Sequence, residues 1–385
     1  MLFRRTFLIA ATLLLVIAAC SFTLERQAGS ASVKKLRKRY SSGDYTKWPA
    51  PVLQEGAKAG FRDIGVLDPV VHPAHNPYND AKRDLGKTLF FDPRLSVSGQ
   101  IACASCHDPQ LGWGDGKRVA FGHDRKLGAR NAMTLFNVGY YDKLFWDGRA
   151  ASLEDQARFP IQDHLEMNES LDAMEKGVQQ FSGYKPLFKK AFGEEGIDRE
   201  KIFKAIACFE RTIVSPPSRF DAFVKGKADV LTDEEVLGLH LFRTRAGCIN
   251  CHNTPLFSDN RFHNDGQTLW GSQNEDLGLY NVTRNKEDVG KFKTPSLREV
   301  ANTGPWFHHG NFPTLRDVVL FYNLGNPAPI QKKYLGTPRD SLLPVTSPML
   351  RKLNLTDTEV NSVVAFMQAI TTTPRRLNPP VDFPK

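Results

Sequence analysis

The chain has 385 residues, 41% hydrophobic and 10% aromatic, with a formal net charge of +9. That is enough apolar material for two buried cores, and it excludes a disordered, solvating chain. The positive charge is concentrated at the start, where Arg4 and Arg5 precede a stretch, residues 21–60, holding eight basic and three acidic side chains. The rest lacks the spread-out basic face of a nucleic-acid binder, so no nucleic-acid partner is expected.

Residues 1–20 read as a secretory leader: two arginines, then an apolar run from Phe7 to Ala19 that is too short and too abruptly ended for a membrane span. Its end, Ile17-Ala18-Ala19-Cys20, resembles a bacterial lipobox, in which the cysteine is lipidated and becomes the new N-terminus. The alternatives are an ordinary cleaved signal or an uncleaved anchor. Ser21 in place of aspartate favours the outer membrane. Residues 21–60, polar and basic with scattered Gly and Pro, read as a flexible tether. The expected location is the periplasmic side of the cell envelope, with the membrane reached through the N-terminal lipid.

The folded body is expected from residue 61, divided near Val224 to Val230 into units 61–226 and 227–385. Leu85-Gly86-Lys87-Thr88-Leu89-Phe90 and Leu237-Gly238-Leu239-His240-Leu241-Phe242 resemble each other, and each lies ahead of a Cys-x-x-Cys pair, which marks an internal duplication. Thr232 with Glu235 and Thr356 with Glu359 form capping-box patterns at the start of two apolar periodic segments. Period-two alternation is scarce, so the fold class is read as all-α. The Pro- and Gly-punctuated stretch from Asn323 to Met349 is read as loop.

Of six cysteines, Cys20 belongs to the leader, Cys208 stands alone, and four form two pairs, Cys103/Cys106 and Cys248/Cys251, each followed directly by histidine. Cys-x-x-Cys-His is the attachment signature of c-type haem. Two thioethers fix the porphyrin, and the next residue, His107 or His252, supplies the proximal nitrogen to iron. A zinc or dithiol site is the competing reading for one copy; two copies, each after the same LG-x-x-LF segment, favour two covalently bound haem c groups.

The segments LGKTLFFDPRLS, CASCHDP, GARNAMTLFN, FWDGRAASLEDQA, KTPSLREV and GPWFHHGNFPTLRDVV resemble, in order, those of the bacterial dihaem cytochrome c peroxidase family, which includes the MauG-type enzymes. The resemblance implies two cytochrome c-like domains with one haem each, the N-terminal one reacting with peroxide and the C-terminal one relaying electrons. It implies that Trp146 lies between the haems, that Gln156 and Glu166 line the distal side of the peroxidatic haem with Pro160 close by, and that His123 ligates that iron in some members. Tyr322 falls where MauG carries a tyrosine ligand to the second haem, and most peroxidases a methionine; Met349 is the alternative ligand here. Asn131, Thr303 and Pro305 match positions that hold a calcium ion between the domains, and His308 matches a histidine near the haems. The implied reactant is hydrogen peroxide, with a small redox donor, a cytochrome c or copper protein, or else a protein substrate as partner. A homodimer is one assembly open to it. Three functions follow: peroxide reduction to water, MauG-like oxidation of a protein or organic substrate, or electron carriage without turnover.

Overall fold

The computed structural model describes residues 31–325, 331–373 and 377–385. The leader, Cys20 and the first part of the expected tether lie outside the described residues.

From residue 31 onward the structure corrects the flexible-tether reading. Residues 31–40 form helix α1, and Tyr40, Trp48 and Ile64 are at most 5% exposed. Arg37 donates to the carbonyls of Ala228 and Leu231 at 2.6 and 2.5 Å, and the Arg243 guanidinium lies 5.4 Å from the Tyr40 ring and 5.0 Å from that of Trp48. The basic run had hidden these widely spaced apolar anchors, and its arginines are themselves used in packing.

Helix α2 (Asp80–Phe91) starts at Asn79, whose side chain accepts from the Lys82 N–H. It crosses α5 (Arg199–Glu210) so closely that a Cβ on Gly86 would sit 1.9 Å from the Ala205 carbonyl oxygen. Among the helices between them in sequence are two short ones, α3 (Leu153–Gln156) and α4 (Arg158–Gln162). In the second half, α6 (Asp233–Arg243) crosses α8 (Asp357–Ala369) in the same way: a Cβ on Gly238 would lie 1.9 Å from the Ser362 carbonyl oxygen. Both capping boxes form as the sequence indicates. Helix α7 (Leu315–Leu324) precedes α8. Among the described residues the regular sheet is one antiparallel pair, β1 (Phe262–His263) with β2 (Phe292–Lys293).

The duplication extends to the cores. Phe90, Trp113 and Phe209 meet edge-on with centroids 5.4–6.0 Å apart, and Phe242, Phe257 and Phe366 form the matching trio at 5.3–6.2 Å. Each fully buried phenylalanine contributes roughly 1.5–3 kcal/mol of apolar burial, with a further edge-to-face gain. The first core is built from residues between Leu85 and Ile213, and the second gathers Tyr40, Trp48 and Ile64 with residues from Phe220 to Ile370. Leu377 and Phe383 return to the first core, where Arg94 donates to the Pro384 carbonyl at 2.9 Å and the Gly183 N–H to that of Lys385 at 2.7 Å. Each end of the described chain therefore packs on the half remote from it in sequence.

Candidate functional site

Each Cys-x-x-Cys segment is wound into a short 3-10 turn, Cys103–Ser105 and Cys248–Asn250, and the following histidine N–H closes back onto the first cysteine carbonyl, at 3.0 Å for His107 and 2.8 Å for His252. The Nδ1 of His107 lies 3.1 Å from the Trp113 carbonyl oxygen, and that of His252 lies 3.1 Å from the Phe257 carbonyl oxygen. A carbonyl only accepts, so Nδ1 carries the hydrogen and Nε2 is left as a bare donor for a metal. Trp113 and Phe257 both adopt positive φ, 61° and 58°, so the same local backbone device aims both carbonyls.

These elements open onto two cavities. The first, about 1070 Å³, is lined by Cys103, Cys106 and His107 together with Gln156, Pro160 and Glu166. The second is lined by Cys248, Cys251, His252, Tyr322 and Met349. None of the four cysteines forms a disulfide. Burial pushes the Cys106 and Cys248 thiols up to about 12, and those of Cys103 and Cys251 higher still. Neutral, unpaired sulfur suits uncharged thioether links to a tetrapyrrole. The paired sulfurs, the bare imidazole nitrogen and the cavity beside them fit a covalently held haem in both places.

Trp146 lines both cavities, as do His308, Asn131 and Lys293. Its indole N–H donates to the Asn131 carbonyl at 3.0 Å and its ring meets His308 edge-on at 6.3 Å. His308 stacks on Phe292 at 3.6 Å, and burial holds it down at about 3, a neutral imidazole. Asp147, next to Trp146, bridges Arg130 at 2.6 Å and Arg149 at 3.1 Å, while Arg130 also holds Asp276 at 2.6 Å. This network fixes the Trp146 loop against the second half.

On the distal wall, Ser152 caps α3 and Gln156 ends it. Glu166 sits in the turn after α4, where its N–H donates to the Asp163 carbonyl and its own carbonyl accepts from the His123 N–H at 2.7 Å. Burial, reinforced by Asp163 and opposed by Arg149, raises the Glu166 carboxyl to about 7. Such a group exchanges a proton readily near neutral pH.

His123 opens a 3-10 turn, His123–Arg125, in the loop ahead of Asn131. It does not line the first cavity; its Nε2 lies 3.3 Å from the Asp124 carboxylate, and the loop is held through its backbone against Glu166. Asn131, Thr303 and Pro305 come together on the wall of the second cavity. The Asn131 amide nitrogen is committed to the carbonyls of Lys117 and Arg118, which leaves its oxygen as the atom a cation could use. Tyr322 and Met349 both reach the second cavity, and burial holds the Tyr322 phenol well above its ordinary range.

Three titratable groups at the cavities carry no motif of their own. Glu210, at the end of α5, lines the first cavity with its Oε2 unpartnered among the described residues. Asp265 in the second cavity is pushed up to about 7 by burial. Lys293 donates to the Lys143 carbonyl, sits 3.2 Å from the Tyr141 ring centroid and is held well below its usual range. The apolar period of α5 signals a core helix and gives no sign of a carboxylate facing a cavity.

Comparison with known proteins agrees with this geometry. The sequence model of the family described as di-haem cytochrome c peroxidase matches residues 80–229. A protein of Denitromonas iodatirespirans named cytochrome-c peroxidase IdrP1 is 38% identical over 82% of this chain and 88% of its own length. The methylamine utilization protein MauG of Methylophilus methylotrophus is 35% identical over 79% of this chain and 86% of that protein. Among solved structures, a MauG-like protein associated with microbial copper homeostasis superposes with a TM-score of 0.70 at 30% identity, covering 79% of this chain and 93% of that one.

Proposed function

Because this chain belongs to the dihaem cytochrome c peroxidase family, which includes the MauG proteins, we propose that it reduces hydrogen peroxide to water at the cavity shared by His107, Gln156 and Glu166. As a member of that family it is an oxidoreductase acting on peroxide. Two haem c groups, held by Cys103, Cys106 and His107 and by Cys248, Cys251 and His252, would supply the iron chemistry, binding peroxide in the first cavity and passing on electrons in the second.

The observation that carries the reading is Glu166, a half-buried carboxyl on the cavity wall poised at about 7. It accepts the proton of one peroxide oxygen and returns it to the other, which turns a poor leaving group into water. Gln156 holds the reactant by hydrogen bonding without bringing charge into the cavity. Trp146 places an aromatic ring on the wall common to both cavities, with its indole N–H fixed by the Asn131 carbonyl. The electron donor is a small cytochrome c or copper protein. Calcium at the oxygen of Asn131, with Thr303 and Pro305, would brace the same junction. His123 is left outside the proposed ligand set.

Tyr322 favours a second reading, MauG-like oxidation of a protein or organic substrate. As a ligand to the second haem it would supply a hard anionic oxygen, which stabilises ferric iron and would make that haem a poorer acceptor than methionine would. A spectrum of the oxidised protein before and after one equivalent of peroxide separates the readings. A peroxidase requires prior reduction and then turns over with reduced cytochrome c; a MauG-like enzyme shows a persistent spectral change without it. Two irons that never react with peroxide would leave only the carrier.

A further inference from the structure

Glu210 is 4% exposed, lines the first cavity, and has a fully buried Oε2 with no hydrogen-bond partner among the described residues. It is close enough to Cys103 for its charge to act on that thiol. The charged groups facing it are Arg211 and Glu154, and these satisfy each other through two hydrogen bonds of 2.7 and 2.8 Å. Lys82 on α2 and His72 feel the charge of Glu154, and Glu166 lines the same cavity. Arg211 spends its hydrogen bonds on Glu154 and opposes the Glu210 charge only through space, so further compensation has to come from what the cavity holds.

We infer that Glu210 is the group that takes up a proton when the haem attached to Cys103 and Cys106 is reduced. The inference rests on the reading that this cavity holds a haem. A ferric haem carries net positive charge, which favours an ionised carboxylate nearby; reduction removes that charge and leaves a buried anion uncompensated. The electron would come from the redox donor protein, and one proton would pass from solvent to a Glu210 oxygen, breaking an O–H bond of hydronium or water and forming one on the carboxyl. Burial already raises this carboxyl to about 8, so the exchange falls in an accessible pH range. The proton is stored in the cavity in which peroxide, taking two electrons and two protons, becomes two waters.

Spectroelectrochemical titration of the intact dihaem protein between pH 6 and 10 tests this. The reduction equilibrium of the first haem is expected to weaken about tenfold per pH unit over part of that range, roughly 59 mV for a one-electron couple. The slope is expected to vanish in Glu210→Gln and to persist in Glu166→Gln. A flat profile in the unmodified protein, or a slope retained in Glu210→Gln, overturns the assignment. If Glu210→Gln does not fold, redox-difference infrared spectroscopy of the unmodified protein decides: reduction should create a protonated buried carboxyl band, shifted in Glu210→Asp, and its absence overturns the proposal. Haem mass on the denatured chain reports separately on whether the cavity reading itself holds.

Discussion

Glu166 and Gln156 lie within one helical turn and a short loop of each other, yet they divide the chemistry by charge: one titrates near neutral pH and the other does not titrate. Glu166→Gln is expected to lower kcat for peroxide by about 10²-fold or more, with the haem spectrum unchanged. Stopped-flow mixing of the half-reduced protein with peroxide measures this, and an unchanged rate would remove Glu166 from the mechanism. Glu166 and Glu210 also make stability depend on pH. Their folded values, about 7 and about 8, lie above the ordinary 4.5, so the folded protein binds these protons more tightly than the unfolded chain. Their contribution is fully present below about 4.5 and is lost as the pH rises through 7 and 8. Thermal unfolding should show stability falling across that window, and Glu210→Gln should flatten its upper part. At the second cavity, Tyr322→Met is expected to raise the reduction potential of that haem, read by redox titration; an unchanged potential would point to Met349 as the native ligand.

Each half is an element pair that crosses at a glycine, with an aromatic trio behind it and a histidine held by a carbonyl from the same trio. Gly86→Ala and Gly238→Ala both drive a methyl into a carbonyl oxygen of the facing helix. Each is expected to cost about 3 kcal/mol or more, seen as a drop in the denaturation midpoint; a neutral Gly238→Ala would contradict the crossing. Much of this was legible in the sequence because the signals are local. The capping boxes span four residues, the haem motifs five, and the repeated LG-x-x-LF segment carries the crossing glycine itself. What stayed hidden depends on tertiary neighbours. Glu210 is an ordinary acidic residue at a helix end until α5 is turned toward the cavity. Tyr40 and Trp48 lie in a basic segment whose composition resembles a linker, and only the partner surface around Arg243 and Leu231 shows that they are core. His123 occupies the expected stretch of loop, where its Nε2 lies beside Asp124 and its backbone N–H is held by Glu166.

Across the whole molecule the two halves are bound by crossed termini and by the Asp147–Arg130–Asp276 bridge beside Trp146. Arg130→Ala strands the largely buried Asp276 carboxylate, leaves Asp147 to Arg149 alone, and is expected to cost about 3 kcal/mol, with slowed electron transfer between the halves because the Trp146 loop loses its support. Flash or stopped-flow reduction would show it; wild-type transfer in a destabilised protein would make the bridge purely structural. The division of labour between the cavities is most directly tested by intact mass and peroxide reactivity of two double variants, Cys103→Ala/Cys106→Ala and Cys248→Ala/Cys251→Ala, against the unmodified chain. Two covalent haem masses in the unmodified protein are expected, with one lost in each variant, and reaction with peroxide abolished only by the first. A chain without two haem masses, or peroxide reactivity that survives loss of the first pair, would contradict the account.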